Sequence, residues 1–397
     1  MKSRKLLSRR AFVQRMGYTS AASGLSTLLP WLPAIAQPST TRSPRFAYVG
    51  SSGSTSAIHV FVIRSGRWLP IQTITAPSPS SLALHPTQNF LYATHAVDTY
   101  RSLPTGAVEA YAIDPHTGRL TSLNQQPLSL SATKPNHLAV SPDGHHLAVA
   151  IYGGGAYNLL PILEDGSLQR VSGILKETGS GPHQQQNSSH PHSVAFDSDG
   201  RLFATDLGSD RLSIFTTADG KLTRTGQCPQ LPGSGPGSMA FHPSSNLLFI
   251  ANELDASVST FRYNPLTGEI GEPQHRTSTL PEDFHGQKSV PTLLLHPSGR
   301  FLYTANRRRE SNHPLADSLT AWGIHPDTGT LSPIQRLTDG LHLPHSTIIT
   351  ASGANLFVLN RESGILQFTI NPTDGTLGQP SLPANIHAPR SLTFKYA

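Results

Sequence analysis

The residues best suited to chemistry in this chain are polar side chains at the ends of short apolar runs. The chain contains no Gly-x-Ser-x-Gly, no Gly-x-x-x-x-Gly-Lys, no Cys-x-x-Cys and no His-Glu-x-x-His, which are local motifs of several large enzyme classes. An active site therefore has to be assembled from separate segments. A carboxylate, an imidazole and a guanidinium brought together can transfer protons and stabilise negative charge. The candidate positions are His192, Asp206, Glu253, Asn306, Arg307, Asn360 and Arg361.

The long connection over residues 176–189 and the positions just after it are rich in side-chain amides and imidazoles. Long connections carry function more often than short turns do. We therefore expect Gln186 and His190 to bind the substrate, together with Asp206 and Asn306 from the strand ends. Asp206 has the alternative role of capping the turn that follows it.

The same region holds three histidines, His183, His190 and His192, which raises the question of a metal ion. Their spacing matches no known ligand pattern, and Cys228, the only cysteine of the chain, lies elsewhere. We therefore expect no metal and no other cofactor. A single cysteine cannot form an intramolecular disulfide, so burial has to provide the stability of the fold.

A repeated unit of short strands and tight turns positions these candidates. Within residues 190–215, short apolar runs are separated by Asp199-Gly200 and by Gly208–Asp210, as in three strands of an antiparallel sheet. The chain contains seven such copies, roughly 50 residues apart, a period typical of propellers. The repeat predicts an all-β fold, a seven-bladed β-propeller whose blades each have four antiparallel strands.

The copies can be aligned by their first apolar run. Six of these runs begin at Leu82, Leu138, Val194, Met239, Leu293 and Ile348. The seventh copy is split between the two ends of the folded part. We expect Leu392–Phe394 to pair with Phe46–Gly50 and so to close the ring, in a domain that covers residues 45–397.

Residues 1–36 have the features of a twin-arginine (Tat) signal peptide. Basic side chains that include Arg9-Arg10 precede a short apolar stretch, and Ala34–Ala36 provides a small-x-small cleavage site. A transmembrane anchor is disfavoured because glycine and prolines interrupt the apolar stretch. We expect the Tat export machinery as a partner, a periplasmic location, and a short linker over residues 37–44.

The signal segment also accounts for the basic charge of the chain. The six ionisable side chains of residues 1–36 are all basic, so that 30 Lys and Arg against 24 Asp and Glu become 24 against 24 after cleavage. A balanced mature chain gives no reason to expect nucleic acid, or a membrane after signal cleavage, as a partner. A small molecule is the expected ligand.

Four segments of the chain resemble the seven-bladed propeller lactonase family, which includes the propeller-type 6-phosphogluconolactonases and the fungal carboxymuconate-cyclising enzyme. The segments are His190–Val194, Asp206–Asp210, Ala251–Leu254 and Ala305–Arg307. The resemblance extends over essentially the whole mature chain. It implies a lactone-handling site with His192, Glu253 and Arg307 as its catalytic residues.

The chain departs from the family pattern at three positions where the resemblance leads us to expect a cation. These positions hold Gln185, Gly237 and His345. Their loss implies weaker binding of anions. A sugar phosphate is a cytoplasmic metabolite and favours arginine in its site, so the expected export and the missing cations together favour an unphosphorylated aldonolactone.

Opening a lactone with water requires a base for the water proton, a donor for the developing oxyanion and a proton for the departing ring oxygen. Glu253 suits the first task, Arg307 the second and His192 the third. Two alternatives remain open. One is a carboxymuconate-cyclase-like isomerase, which the missing cations disfavour; the other is a propeller that has lost catalysis and serves as a binding or scaffold module, which they favour.

Overall fold

The structure is a computed structural model that describes residues 43–53, 55–281, 289–290, 292–308 and 317–396. The predicted signal segment, and the linker up to residue 42, lie outside the described residues. Almost all regular structure in the described part is β-strand, with one short 3₁₀ turn at Ala218–Gly220. No helix in this part is long and apolar enough to cross a membrane.

The described strands form seven four-stranded antiparallel sheets, which confirms the predicted propeller. Blade 1 consists of β28 (Pro389–Tyr396), β1 (Pro44–Ser51), β2 (Ala57–Arg64) and β3 (Arg67–Thr75). Blade 2 consists of β4 (Leu82–Leu84), β5 (Phe90–His95), β6 (Ala107–Ile113) and β7 (Leu120–Pro127). Blade 3 consists of β8 (Pro135–Val140), β9 (His146–Ile151), β10 (Ala156–Pro161) and β11 (Gly173–Lys176). Blade 4 consists of β12 (Pro191–Phe196), β13 (Leu202–Asp206), β14 (Arg211–Thr216) and β15 (Thr223–Pro229).

The remaining three blades repeat the same order. Blade 5 consists of β16 (Pro236–Phe241), β17 (Leu247–Asn252), β18 (Ser257–Tyr263) and β19 (Ile270–Ser278). Blade 6 consists of β20 (Thr292–Leu295), β21 (Phe301–Asn306), β22 (Ser318–Ile324) and β23 (Leu331–Leu337). Blade 7 consists of β24 (Pro344–Ile349), β25 (Asn355–Asn360), β26 (Gly364–Thr369) and β27 (Ser381–Ala384).

The ring is closed by pairing the two ends of the described chain. Strand β28 runs antiparallel to β1, with Tyr48 opposite Thr393 and Val49 opposite Leu392. The first strands of the blades contact one another in an unbroken circle, in the order β4, β8, β12, β16, β20, β24, β28 and back to β4. The predicted closure is therefore confirmed, and the first strands surround the central axis.

The apolar core lies between neighbouring blades. Second strands such as β17 and β21 are buried along their whole length, because sheets cover them on both faces. Tyr92 of blade 2, for example, packs in one cluster with Leu138 and Val149 of blade 3. Each blade thus buries its apolar surface against the next one, and the continuous apolar runs of the sequence follow from this burial.

Recurring hydrogen bonds also connect several pairs of neighbouring blades. Buried tyrosine hydroxyls donate to glycine carbonyls at 3.0–3.1 Å, from Tyr48 to Gly118, Tyr92 to Gly166 and Tyr303 to Gly375. Histidine Nε2 atoms contact glycine carbonyls at 2.9–3.1 Å, in the pairs His85 and Gly144, His242 and Gly299, and His296 and Gly353. The Nδ1 atoms of these histidines accept backbone N–H groups, so Nε2 carries the proton and donates. These histidines have structural roles.

Glu109 is a buried carboxylate inside blade 2. The Nε2 atom of His95 lies 3.0 Å from its Oε2, and the Ser122 hydroxyl donates to its Oε1 at 2.6 Å. Burial raises the pKa of Glu109, but hydrogen bonds, first from His95 and then from Ser122, outweigh burial and lower the pKa from 4.5 to about 2. The folded state therefore favours the ionised form. Its contribution to stability is present above pH 4.5 and is lost as the pH falls toward 2.

We expect Glu109→Gln to remove part of the acid sensitivity of the fold. At pH 6 the free energy of unfolding of the variant should be about 2–3 kcal/mol below that of the wild type, and the difference should shrink as the pH falls from 4.5 toward 2. Urea denaturation of both proteins at several pH values measures this difference in the free energy of unfolding. Glu164→Gln, on an exposed turn of blade 3, is the matched control. A difference for Glu109→Gln that stays constant over this pH range would contradict the prediction.

Candidate active site

A cavity of about 1050 Å³ lies where the first strands of the blades meet. Two recurring positions of the blade build much of its wall. The second residue of the first strand contributes Asn136, His192, His345 and Arg390, and Ser80 lies two residues before the first strand of blade 2. The position directly after the second strand contributes Ala96, Tyr152, Glu253, Arg307 and Arg361.

A β-bulge turns the first group toward the cavity. In four blades a proline begins the first strand, pairs with the last residue of the second strand, and is followed by one residue that has no partner in the ladder. The unpaired residues are Asn136, His192, His345 and Arg390. Proline is tolerated as the first residue of a strand, and a bulge re-aims the side chain of the extra residue. The Pro-x pairs of the sequence thus mark side chains that face the cavity.

Buried asparagines hold the second group in place. Asn252 and Asn306 end the second strands of their blades and directly precede Glu253 and Arg307. The Asn252 amide donates to the Ser257 hydroxyl at 2.9 Å, and the Asn306 amide donates to that of Ser318 at 3.1 Å and to the Thr279 carbonyl at 3.2 Å. Each amide therefore ties the strand end to its surroundings and fixes the direction of the charged side chain that follows.

The structure brings the three predicted catalytic residues together in this cavity. Nε2 of His192 lies 3.1 Å from Oε2 of Glu253, and Nη2 of Arg307 lies 3.3 Å from Oε1 of the same carboxylate. The Ser289 hydroxyl also donates to Oε1, at 3.4 Å. The side chain of Glu253 is 8% exposed and that of His192 is 16% exposed. A carboxylate, an imidazole and a guanidinium therefore meet in a largely desolvated place that opens on the cavity.

His345 contacts a different terminal nitrogen of Arg307 from the one that meets the carboxylate. Nη1 of Arg307 lies 3.4 Å from Nδ1 of His345. Burial, followed by the charges of Arg390 and Arg307, lowers the pKa of His345 well below its ordinary value, so its imidazole is neutral and Nδ1 can accept a hydrogen bond from the guanidinium. His137, also on the wall, is neutral as well, because burial and then the charge of His192 lower its pKa to about 4.

The four predicted substrate-binding residues are not among the residues that line the cavity. Asn306 is buried in the contacts described above. Asp206 caps its turn by accepting the backbone N–H groups of His190 at 2.7 Å and of Gly208 at 2.9 Å. The amide of Gln186 is buried and donates to the Leu207 carbonyl at 2.7 Å. Their contacts hold loops and strand ends in place, and a role in substrate binding stays a prediction for them.

His190 contributes to the wall indirectly, through an aromatic residue that the sequence analysis did not single out. Its ring stacks on Tyr152 with 4.4 Å between ring centroids, and its Nδ1 lies 3.0 Å from the Tyr152 carbonyl. Tyr152 lines the cavity and meets His192 edge-on at 6.3 Å. From the loop before His190, Gln184 and Gln185 line the cavity in place of Gln186.

The cavity wall carries more positive charge than the three missing cations led us to expect. Of the three positions without the expected cation, Gln185 and His345 line the cavity, and a Cβ added at Gly237 would lie 3.4 Å from Cε1 of His192. The cationic side chains that do line the wall are Lys134, Arg307, Arg308, Arg361 and Arg390. Arg390 was missed, although Pro389-Arg390 repeats the Pro-x signal of Pro191-His192. The prediction of weak anion binding was therefore made without taking Arg390 into account.

His183 and His190, two of the histidines considered as metal ligands, make separate contacts. The Nδ1 atom of His183 accepts the backbone N–H of Gln185 at 3.2 Å, and His190 packs on Tyr152. Across the described residues, no group of three or more His, Cys, Asp or Glu side chains has the arrangement of a metal site.

Comparison with known proteins finds lactonases among those to which this chain is similar. The profile of the family described as "Lactonase, 7-bladed beta-propeller" matches residues 46–394. The 6-phosphogluconolactonase of Bacillus subtilis (strain 168) is 30% identical over 321 residues, which cover 80% of this chain and 87% of that protein. The 6-phosphogluconolactonase of Serratia proteamaculans (strain 568) is 28% identical over 317 residues, covering 76% of this chain and 86% of that protein.

Among solved structures, the periplasmic gluconolactonase PpgL of Pseudomonas aeruginosa resembles this chain with a TM-score of 0.79 and 26% sequence identity. The match covers 89% of this chain and 99% of that structure. The likeness therefore extends over nearly the whole ring.

Proposed function

Because the chain belongs to the seven-bladed β-propeller lactonase family, we propose that it opens a sugar lactone, an aldonolactone, by base-assisted attack of water. The observation that carries this proposal is the contact of Glu253 with both His192 and Arg307 on the wall of the central cavity. Similarity to 6-phosphogluconolactonases and to a gluconolactonase supports the reaction type. The volume of about 1050 Å³ is ample for a single sugar ring.

In the proposed reaction each of the three side chains has one task. Glu253 takes a proton from a water molecule, whose oxygen forms a bond to the lactone carbonyl carbon. The guanidinium of Arg307 donates to the carbonyl oxygen as it becomes negative. The bond between the carbonyl carbon and the ring oxygen then breaks, and His192, 3.1 Å from Glu253, passes the proton to the departing oxygen. The product is an open-chain hydroxy acid, and all these steps use side chains of the protein alone.

Hydrolysis of glucono-1,5-lactone by the mature protein, residues 37–397, tests this proposal. A pH-stat at mildly acidic pH is suitable because spontaneous opening is slow there. We expect a rate well above the blank without protein. No rate with this lactone or with its 6-phosphate, from protein shown to be folded by circular dichroism, would reject hydrolysis and favour a non-catalytic binding module. Formation of a cyclised or isomerised product instead would favour the isomerase.

We also propose that the protein acts in the periplasm after export by the Tat machinery. The proposal is supported by Arg9-Arg10 and the cleavage site at Ala34–Ala36. Similarity to a protein named as a periplasmic gluconolactonase agrees with it.

Changing both Arg9 and Arg10 to lysine should abolish export. In a Gram-negative host, wild-type protein should be found in the periplasmic fraction, and the double variant should remain in the cytoplasm as uncleaved precursor, because the Tat route reads the arginine pair. Fractionation followed by immunoblotting measures the ratio of periplasmic protein to cytoplasmic precursor. Arg15→Lys, in the same segment but outside the pair, is the control. Equal periplasmic amounts of the double variant and the wild type would refute Tat export.

A further inference from the structure

Two neighbouring bulges bring a side chain of blade 3 to the backbone of His192. Asn136 and His192 are the residues without a ladder partner in β8 and β12, and these two strands lie side by side at the axis. The Nδ2 amide of Asn136 donates to the carbonyl of His192 at 2.8 Å. A bulge leaves its extra residue unpaired, and a backbone carbonyl away from water needs a donor. Asn136 supplies that donor from the adjacent blade.

The other end of the same peptide bond is held as well. The N–H of Ser193, the residue after His192, donates to the hydroxyl of Thr205 at 3.2 Å, and this hydroxyl donates to the Gly237 carbonyl at 2.7 Å. Thr205 is fully buried in β13 of blade 4, and Gly237 belongs to β16 of blade 5. The peptide bond that follows His192 is thus fixed at both ends by the side chains of Asn136 and Thr205.

His137 adds a contact one residue further along the strand. Its Nδ1 accepts the backbone N–H of Val194 at 3.4 Å. Since burial lowers the pKa of His137 to about 4, its imidazole is neutral at neutral pH and Nδ1 keeps its lone pair for this contact. Side chains therefore bind a backbone group of each of three consecutive residues, His192–Val194.

The direction of the His192 imidazole depends on this stretch of backbone. Nε2 of His192 lies 3.1 Å from Oε2 of Glu253, near the upper end of the usual range of hydrogen-bond lengths. A backbone rotation that moves the ring by about 1 Å breaks this contact, and a displacement of that size costs about 10²-fold in rate. Because the ladder does not hold a bulged residue, side chains have to prevent that rotation.

We infer that Asn136 is a positioning residue of the active site, which keeps the His192 imidazole directed at Glu253 by binding the His192 carbonyl. The inference rests on the proposed function and adds a residue that no step of the proposed reaction uses. Asn136 also lines the cavity, so the alternative is a direct contact with the substrate. The two roles differ in their effects, because loss of a positioning contact lowers kcat, whereas loss of a uniform binding contact raises KM.

Steady-state kinetics with glucono-1,5-lactone test this role. Asn136→Ala should lower kcat by about 10- to 100-fold and leave KM nearly unchanged. Asn136→Asp, which keeps the size of the side chain but has no donor, should show the same loss, and it replaces the alanine variant if that protein does not fold. Asn136→Gln, which keeps the amide, should retain more activity than either.

Asn124→Ala is the matched control. The Asn124 amide also donates to a backbone carbonyl of the next blade, that of Leu168 at 2.7 Å, but Asn124 does not line the cavity. This variant should leave kcat and KM unchanged.

A double-mutant cycle shows whether Asn136 acts through His192. In a His192→Ala protein the further change Asn136→Ala should cost no additional rate, because the imidazole that Asn136 positions is absent. Losses that multiply would overturn the inference, and so would a raised KM at unchanged kcat in Asn136→Ala.

A crystal structure of Asn136→Ala requires no turnover and therefore separates the failure of this inference from the failure of the proposed function. We expect the distance from Nε2 of His192 to Oε2 of Glu253, 3.1 Å in the wild type, to exceed the hydrogen-bond range. If the wild type hydrolyses no lactone but the variant has lost this contact, the positioning role stands and the proposed function fails. If the variant retains the contact, the inference is overturned, whatever its rate.

Discussion

Glu253→Gln is expected to lower kcat for lactone hydrolysis by about 10³-fold, because the variant has no group that can take the proton of the attacking water. Glutamine has nearly the same shape as glutamate, and its amide oxygen can still accept from Arg307, which lies 3.3 Å from the carboxylate in the wild type. Folding and KM should therefore change little. Initial rates in a pH-stat with glucono-1,5-lactone, over a range of concentrations, separate kcat from KM.

Glu164→Gln makes the same chemical change on an exposed turn of blade 3 and should leave the rate unchanged. A Glu253→Gln protein that keeps more than a tenth of wild-type kcat would show that another group acts as the base. If hydrolysis continues undiminished, the roles of His192 and Arg307 need revision too, because both were assigned through their contacts with this carboxylate.

Arg307→Gln is expected to lower kcat/KM by about 10²- to 10³-fold. The variant lacks the cationic donor for the oxyanion, and preorganised donors of this kind contribute rate factors of that size. It also leaves the buried Glu253 carboxylate without its 3.3 Å ion pair. Steady-state kinetics with the same lactone measure the loss.

Arg307→Lys separates the effect of charge from that of geometry. Lysine keeps the positive charge but not the two-pronged donor that reaches both Glu253 and Nδ1 of His345. Its rate should lie between those of Arg307→Gln and the wild type. Equal rates for the glutamine and lysine variants would mean that a positive charge without the guanidinium geometry gives no rate advantage at this position, which would contradict this prediction. Arg119→Gln, at an exposed position between β6 and β7 of blade 2, controls for the loss of a surface arginine.

The repeat explains why so few residues of each blade bear on function. The residue after the leading proline lines the cavity in four blades, and the residue after the second strand does so in five. Polar residues that end a second strand are buried and hydrogen-bonded instead. Asn306 belongs to the last kind, and so does Asp206. The blades thus share one framework, and the residue types at these two positions determine much of the chemistry of the cavity wall.

The amino-acid sequence by itself determined the architecture and led to the three side chains that we propose as catalytic. Strands and turns depend on local preferences and on runs of apolar residues, which recur seven times and can be read without knowledge of the fold. The closure of the ring could be predicted in the same way, because one copy of the repeat is split between Phe46–Gly50 and Leu392–Phe394. His192, Glu253 and Arg307 were identified because their types are unusual at the ends of such strands and match a family.

Only the tertiary structure decided which polar residues face the cavity. Side chains alternate along a regular strand, but a bulge after the leading proline breaks this alternation at His192 and Arg390, and pairing with the second strand is needed to reveal it. The contact between His192 and Glu253, and the isolation of Arg390 from any carboxylate among the described residues, depend on how separate blades meet at the axis. Such proximity arises from closing the ring and has no local signature in the chain. For this reason the sequence could not show that Asn306, Asp206 and Gln186 do not line the cavity, or that Arg390 and Tyr152 do.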